Sequence, residues 1–183
     1  MIKYVITDFD GTIVDTMKAN MAAYAEAFEE AGYEFSDDLY RTAFGLRFDD
    51  MCNKLGVTEN KMVRDKIRTL KAGAYPKYFD LIHVNYTLLE FIASLKDVKV
   101  AIATTASKRN FENVLKHVLD IKADVTVTGE DVTKGKPDPE VYIKAMEKLG
   151  VDNPDECLVF EDSEIGIKAA EAAGLKNVVK ITI

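Results

Sequence analysis

Five short apolar runs rich in β-branched residues, Tyr4 to Thr7, Val98 to Ala103, Val125 to Val127, Cys157 to Phe160 and Val178 to Ile181, constrain this chain more than any other feature. Their brevity and near-continuous hydrophobicity suit strands buried on both faces of a parallel sheet. Between the later runs, Phe111, Val114, Leu115, Val118 and Leu119 share one helical face, and Tyr142, Ala145, Met146 and Leu149 share another. Gly150 and Gly174 follow as helix stops. Strands alternating with helices over short connections predict an α/β fold, a doubly wound parallel sheet whose ligands sit at the carboxyl ends of its strands.

The first strand breaks the rhythm. The stretch from Gly11 to the helix carrying Leu88, Leu89, Ile92 and Leu95 is too long for a simple crossover. It holds Met17, Met21, Tyr24, Ala25 and Phe28 at helical spacing, then helix-like segments over Asp49 to Leu55 and Asn60 to Leu70. We read residues 15–85 as a small inserted helical domain, with 1–14 and 86–183 forming the sheet domain. The Met and aromatic stripe of the insertion is read as core packing.

Composition narrows the partners. The 183 residues are 48% apolar and 30% charged, as in an ordinary globular protein, and the net charge of −7 argues against a nucleic-acid backbone as ligand. A small-molecule partner is expected instead. Cys52 and Cys157 are far apart and lack metal-ligand spacing, so they are read as buried thiols in a reducing compartment. Met1-Ile2-Lys3 leads straight into the first strand, and no run approaches the roughly 18 to 20 apolar residues of a membrane span. The expectation is a cytoplasmic protein with no membrane partner.

The chemistry should lie where strands end. Asp8 and Asp10 would project to one side of an extended strand, and Gly11 lets the chain turn at once. Alone, such a stretch is an ordinary turn; its place after an apolar strand favours a site. Glu161-Asp162-Ser163 ends the fourth run and adds two more acids, which would repel the others without a cation, and a few carboxylates that leave room for water suit Mg²⁺. Ser163 also suits a helix N-cap. Thr104-Thr105-Ala106-Ser107 ends the second run before a helix, where unpaired N–H groups and the helix dipole favour a phosphate, with Thr104 donating its hydroxyl. After the third run, Pro137 and Pro139 stiffen a loop bearing Lys134 and Lys136, and composition does not choose between these lysines.

In these residues the sequence resembles the haloacid dehalogenase superfamily, specifically its phosphatases with a helical cap after the first motif. The likeness spans nearly the whole chain. Asp8-Phe9-Asp10-Gly11-Thr12 is similar to the first motif, Thr104 to the second, Lys136 in Gly135-Lys136-Pro137 to the third and Glu161-Asp162-Ser163 to the fourth. Gly166-Ile167-Lys168-Ala169-Ala170 and Ala172-Ala173-Gly174 resemble the family's continuation.

The resemblance implies that Asp8 attacks phosphorus and becomes an aspartyl phosphate, while Asp10 protonates the leaving oxygen and then activates water. Thr104 and Lys136 would hold the phosphate, helped by backbone amides near Phe9 and Thr105. Mg²⁺ would be held by Asp8, the backbone carbonyl of Asp10 and Asp162, with Glu161 as a further or water-mediated ligand. The insertion would be a cap that excludes water and selects a small phosphorylated metabolite, with Asn20, Thr105 and Arg47 placed to face it. Asn20 stands where many capped sugar-phosphate enzymes carry a histidine, and the usual Pro-Gly before the core resumes is replaced around Val84-Asn85. Lys18, Lys71 and Lys77 are read as surface charges. A monomer or weak homodimer is expected. A phosphomutase of the β-phosphoglucomutase type is the alternative reaction, and a phospho-aspartate signalling switch or an inactive binding scaffold are alternatives of another class.

Overall fold

The computed structural model describes residues 1–58, 60–119 and 121–183. In chain order its elements are β1 (Tyr4–Thr7), β2 (Val14–Asp15), α1 (Met17–Ala31), α2 (Asp37–Ala43), α3 (Phe48–Lys54), α4 (Lys61–Ala74), a 3-10 segment (Tyr75–Leu81), β3 (His83–Val84) and α5 (Tyr86–Ser94). There follow β4 (Lys99–Ala103), α6 (Lys108–His117), β5 (Val125–Val127), α7 (Glu140–Leu149), a short 3-10 turn (Pro154–Glu156), β6 (Cys157–Glu161), α8 (Glu164–Ala172) and β7 (Val178–Lys180). Among the described residues no helix is long and apolar enough to cross a membrane.

The five apolar runs form one parallel sheet in the order β5-β4-β1-β6-β7, with Tyr4 beside both Lys99 and Cys157 and Thr7 beside both Ile102 and Phe160. The connection after β5 returns across the sheet to β6, so strand order reverses beside β1, where such folds open a crevice. Alternation along β1 feeds two cores. Val5 joins Ile102 and Phe160 against Leu88, Ile92, Phe111 and Val114 of α5 and α6. Ile6 joins Ala101 and Val159 against Val141, Tyr142, Ala145 and Ala169 of α7 and α8. Helices on both faces require strands apolar throughout, as the sequence has them.

Three strand ends differ from expectation, β7 stopping at Lys180 instead of Ile181. β4 begins at Lys99, not Val98, because Asp97 turns the chain with φ of +58°. β6 runs one residue further than Phe160, so Glu161 is a strand residue with its side chain buried.

The helices α1 to α4 carry a third core of Met21, Phe28, Tyr40, Met51, Cys52 and Ile67. Of the α1 stripe, Met17, Met21, Tyr24 and Phe28 pack in this core as read, while Ala25 does not join it and Tyr24 also faces a cavity. Ser36 and Asn60 cap α2 and α4 by accepting from the Leu39 and Met62 amides. α2 has no strong apolar period and was not anticipated; its signal is Ser36 followed by Asp37 and Asp38 in the first turn. The helical segment leaves and rejoins the sheet through one antiparallel ribbon, Val14 beside Val84 and Asp15 beside His83. The Asn85 amide and side chain fasten it by donating to the carbonyls of Ile13 and Thr12. Both cysteines are buried and free.

Candidate active site

The carboxyl ends of β1, β4 and β6 bring polar side chains to one edge of the sheet, and most are buried there. Asp8, Thr104, Lys136 and Glu161 are each at most 6% exposed. Lys136 lies at the centre. Its Nζ donates to Asp8 Oδ1 and to Glu161 Oε1, both at 2.6 Å, and sits 5.1 Å from the centre of the Tyr142 ring. Lys134, its rival in the sequence, is exposed and pairs with Asp138 at the surface. The loop owes its shape to Glu140, whose Oε2 accepts from the Thr133 amide, the Thr133 hydroxyl and the Lys134 amide. The Lys134 amide, the Lys144 ammonium and the Thr133 groups together hold the Glu140 carboxyl down to about 2.

Carboxylate oxygens of Asp8, Glu161 and Asp162 lie within 4.8 Å of one another. Glu161 is further fixed by the Ser163 amide at 3.0 Å, and Ser163 Oγ caps α8 by accepting from the Gly166 amide. Asp162 accepts from Thr12 Oγ1 at 3.2 Å. Gly11, with φ of +92°, makes the approach possible: a Cβ there would lie 2.3 Å from Asp162 Oδ2. Burial, with Glu161 and Asp162 alongside, raises the Asp8 carboxyl well above the usual range against the pull of Lys136. Burial and Glu161 raise Asp162 to about 6. Burial alone would lower Lys136, but Asp8 and Glu161 hold it well above the ordinary lysine value. One ammonium among three crowded acids leaves excess negative charge, and an all-oxygen donor set fits a hard cation such as Mg²⁺.

Asp10 stands apart from this group. Its Oδ1 accepts from Thr16 Oγ1 at 2.5 Å, which explains why Thr16 precedes α1 without capping it. Burial raises its carboxyl despite that bond. Thr104 Oγ1 accepts from the Ala106 amide at 3.0 Å, and a hydroxyl so engaged still has its proton to give. Ser107 caps α6 behind it.

Above the edge lies a cavity of about 590 Å³, within the usual small-molecule range of about 300–1,000 Å³. Its floor includes Asp8, Asp10, Thr104, Lys136 and Asp162, and its roof includes Asn20, Tyr24, Arg47, Lys71 and Tyr75 of the helical segment. The two halves touch directly, as Thr105 Oγ1 donates to the Gly45 carbonyl at 3.1 Å. Arg47, expected to face the ligand, lines the cavity, and its guanidinium also donates to the Thr133 carbonyl. Its chain also lies over Gly135, where a Cβ would meet Arg47 Cγ at 2.4 Å. Lys71 corrects an expectation. It is 2% exposed instead of a surface charge, whereas Lys18 and Lys77 are exposed. Thr16 and Glu140 belong to the site and carry no signal in the sequence reading, whereas Thr12 lies in the first motif and Ser163, expected as an N-cap, caps α8.

Comparison with known proteins supplies the remaining context. The family described as haloacid dehalogenase-like hydrolase matches residues 5–180. A phosphorylated carbohydrates phosphatase from Thermotoga maritima is 32% identical over 95% of this chain and 82% of its own length. The β-phosphoglucomutase of Bacillus subtilis is 28% identical over 95% of this chain and 81% of its own. Among solved structures, a hydrolase from Pseudomonas syringae superposes with a TM-score of 0.85 at 27% identity, covering 98% of this chain and 84% of the other.

Proposed function

Because the chain belongs to the haloacid dehalogenase-like hydrolase family, we propose that it is a Mg²⁺-dependent phosphatase of small phosphorylated sugars, with Asp8 as nucleophile. The observation that carries this reading is the meeting of Asp8, Lys136, Glu161 and Asp162 at the sheet edge beneath a cavity of small-molecule size. The Thermotoga maritima relative, named for phosphorylated carbohydrates, supports the substrate class.

The proposed chemistry follows from the side chains. An Asp8 carboxylate oxygen bonds to phosphorus as the bond from phosphorus to the sugar oxygen breaks, and Asp10 gives its proton to that oxygen. Burial favours the protonated form of Asp10 needed at this moment. Water then adds to phosphorus while Asp10 takes back a proton, and inorganic phosphate leaves Asp8 regenerated. Lys136 keeps Asp8 in place and offsets phosphate charge, and Thr104 with the amides before α6 donates to the phosphoryl oxygens. Asp8 and Asp162, with the Asp10 backbone carbonyl, would hold Mg²⁺, which neutralises charge on the phosphate when bound. Glu161 is taken up by Lys136 and Ser163, which suits a role behind the metal ligands. We assign residues 15–85 as the cap.

Release of inorganic phosphate from a phosphomonoester panel tests the proposal. Asp8→Asn is expected to lose more than about a thousandfold in kcat with the circular dichroism spectrum unchanged, since the attacking atom is gone. Chelation is expected to stop the native enzyme and Mg²⁺ to restore it. Robust turnover by Asp8→Asn would falsify the assignment. Transfer to a sugar hydroxyl is the competing outcome, given the β-phosphoglucomutase relative, and a coupled assay for sugar-phosphate isomerisation detects it.

A further inference from the structure

The roof of the cavity contains a cation without a counter-ion. Lys71, on α4, lines the cavity and is 2% exposed. Its Nζ is fully buried and, among the described residues, has no hydrogen-bond partner. It rests 3.6 Å from the Tyr75 ring centre and 5.2 Å from that of Tyr24. Those π faces attract an ammonium but accept none of its three N–H groups in the manner of an oxygen. The other lining cations differ. Arg68 lies over Phe48 and near Asp49 and Asp65, Arg47 donates to Thr133, Lys136 is shared by two acids, and Arg109 is exposed at the rim.

A buried amine with empty donors costs several kcal/mol unless something supplies an acceptor or the proton is lost. Burial drives the Lys71 amine down to about 7, and the negative Asp10 tempers the fall. No carboxylate of the chain lies within ion-pair distance among the described residues. Lys71 lines the cavity from the helical segment, and Lys136 lines it from the sheet edge.

We propose that Lys71 is a specificity-determining residue that pairs with a second anionic group of the substrate, so that this enzyme prefers phosphorylated sugar acids or sugar bisphosphates to neutral sugar phosphates. The inference rests on the phosphatase reading and specifies it. The phosphoryl group to be removed sits over Asp8 and the second anion is drawn to Lys71. A neutral sugar would leave the amine with hydroxyls alone, and a cationic substituent would be repelled.

Matched substrates test this. Glycerol 3-phosphate against 3-phosphoglycerate, and glucitol 6-phosphate against 6-phosphogluconate, exchange a terminal hydroxymethyl for a carboxylate; fructose 6-phosphate against fructose 1,6-bisphosphate adds a phosphate. In at least one pair the native enzyme is expected to favour the doubly anionic member at least tenfold in kcat/KM. The pair showing the larger ratio identifies carboxylate or phosphate as the second anion. Lys71→Met, which keeps an unbranched apolar stem, is expected to erase that preference mainly through KM. The variant should hydrolyse p-nitrophenyl phosphate within about twofold of the native enzyme, since a lost substrate contact leaves the phosphoryl centre intact. Lys71→Arg should restore part of the preference. Equal loss on every substrate would make Lys71 a packing residue and overturn the proposal, as would a native enzyme indifferent to the second anion. Absence of p-nitrophenyl phosphate hydrolysis in the native enzyme would count against the phosphatase reading itself, a result distinct from either.

Discussion

The floor and the roof of the cavity carry charge in opposite ways. On the floor, Lys136 is bonded to two acids, Glu161 is bonded to Lys136 and Ser163, and Asp162 is bonded to Thr12. On the roof, among the described residues, the Lys71 amine meets only aromatic faces. The first arrangement is complete within the chain apart from excess negative charge; the second is completed only from outside. On the function proposed, groups that serve every turnover are held by several bonds, and the group that distinguishes one ligand from another is left unsatisfied until that ligand arrives.

The comparison is broken most severely at its best-bonded member. Lys136→Met leaves Asp8 and Glu161 buried and unpaired, so a loss of about 3–5 kcal/mol is expected in urea denaturation, with phosphate release abolished. A variant as stable as the native chain would show that the floor network is not what holds this edge together. Next in size is the excess acid. Mg²⁺ at about a hundred times its dissociation constant should stabilise the protein by about 2.7 kcal/mol, raising its melting temperature, and Asp162→Asn should remove most of that rise. Replacing Arg47 with Ala removes one strap between roof and floor, and a drop of several-fold in kcat/KM with little change in stability is expected from steady-state kinetics. An effect as large as that of Lys136→Met would erase the distinction between the two halves.

The smallest effect concerns the Lys136 loop. Folding lowers the Glu140 carboxyl from an ordinary 4.5 to about 2, so its contribution is fully present above about pH 4.5 and disappears as the pH falls through about 2. The difference in urea midpoint between the native chain and Glu140→Gln should therefore shrink over that interval. A constant difference would show that the loop does not depend on the charge.

What could be read from the sequence divides along the same line. The strands and flanking helices are local patterns, and each strand end was placed within a residue or so because apolar runs and turn residues sit next to one another in the chain. Asp8, Thr104 and Asp162 could be singled out because a parallel sheet brings its strand ends together, whereas only the family resemblance separated Lys136 from Lys134. The bond from Thr16 to Asp10 was not legible, since a threonine before a helix looks like a cap whether or not its hydroxyl is free. Nor was the burial of Lys71. Its neighbours Arg68, Thr69 and Leu70 give the mixed pattern of a surface helix, and only the packing of α4 against α1 and the Tyr75–Leu81 segment reveals where its stem goes. The bond from Arg47 to Thr133 was not legible for a related reason, because a carbonyl acceptor leaves no trace in side-chain identity.

The ribbon of β2 and β3 has a meaning for descent as well as for structure. Both ends of the helical insertion meet in four paired residues, so to the sheet the insertion is a loop whose ends are already together. Lengthening a closed loop is thermodynamically mild, about 0.6 kcal/mol for each doubling of length. A unit joined by such a single socket can be exchanged or reshaped while the strand ends keep their register, and new substrates can be tried by a lineage without rebuilding the part that breaks the bond.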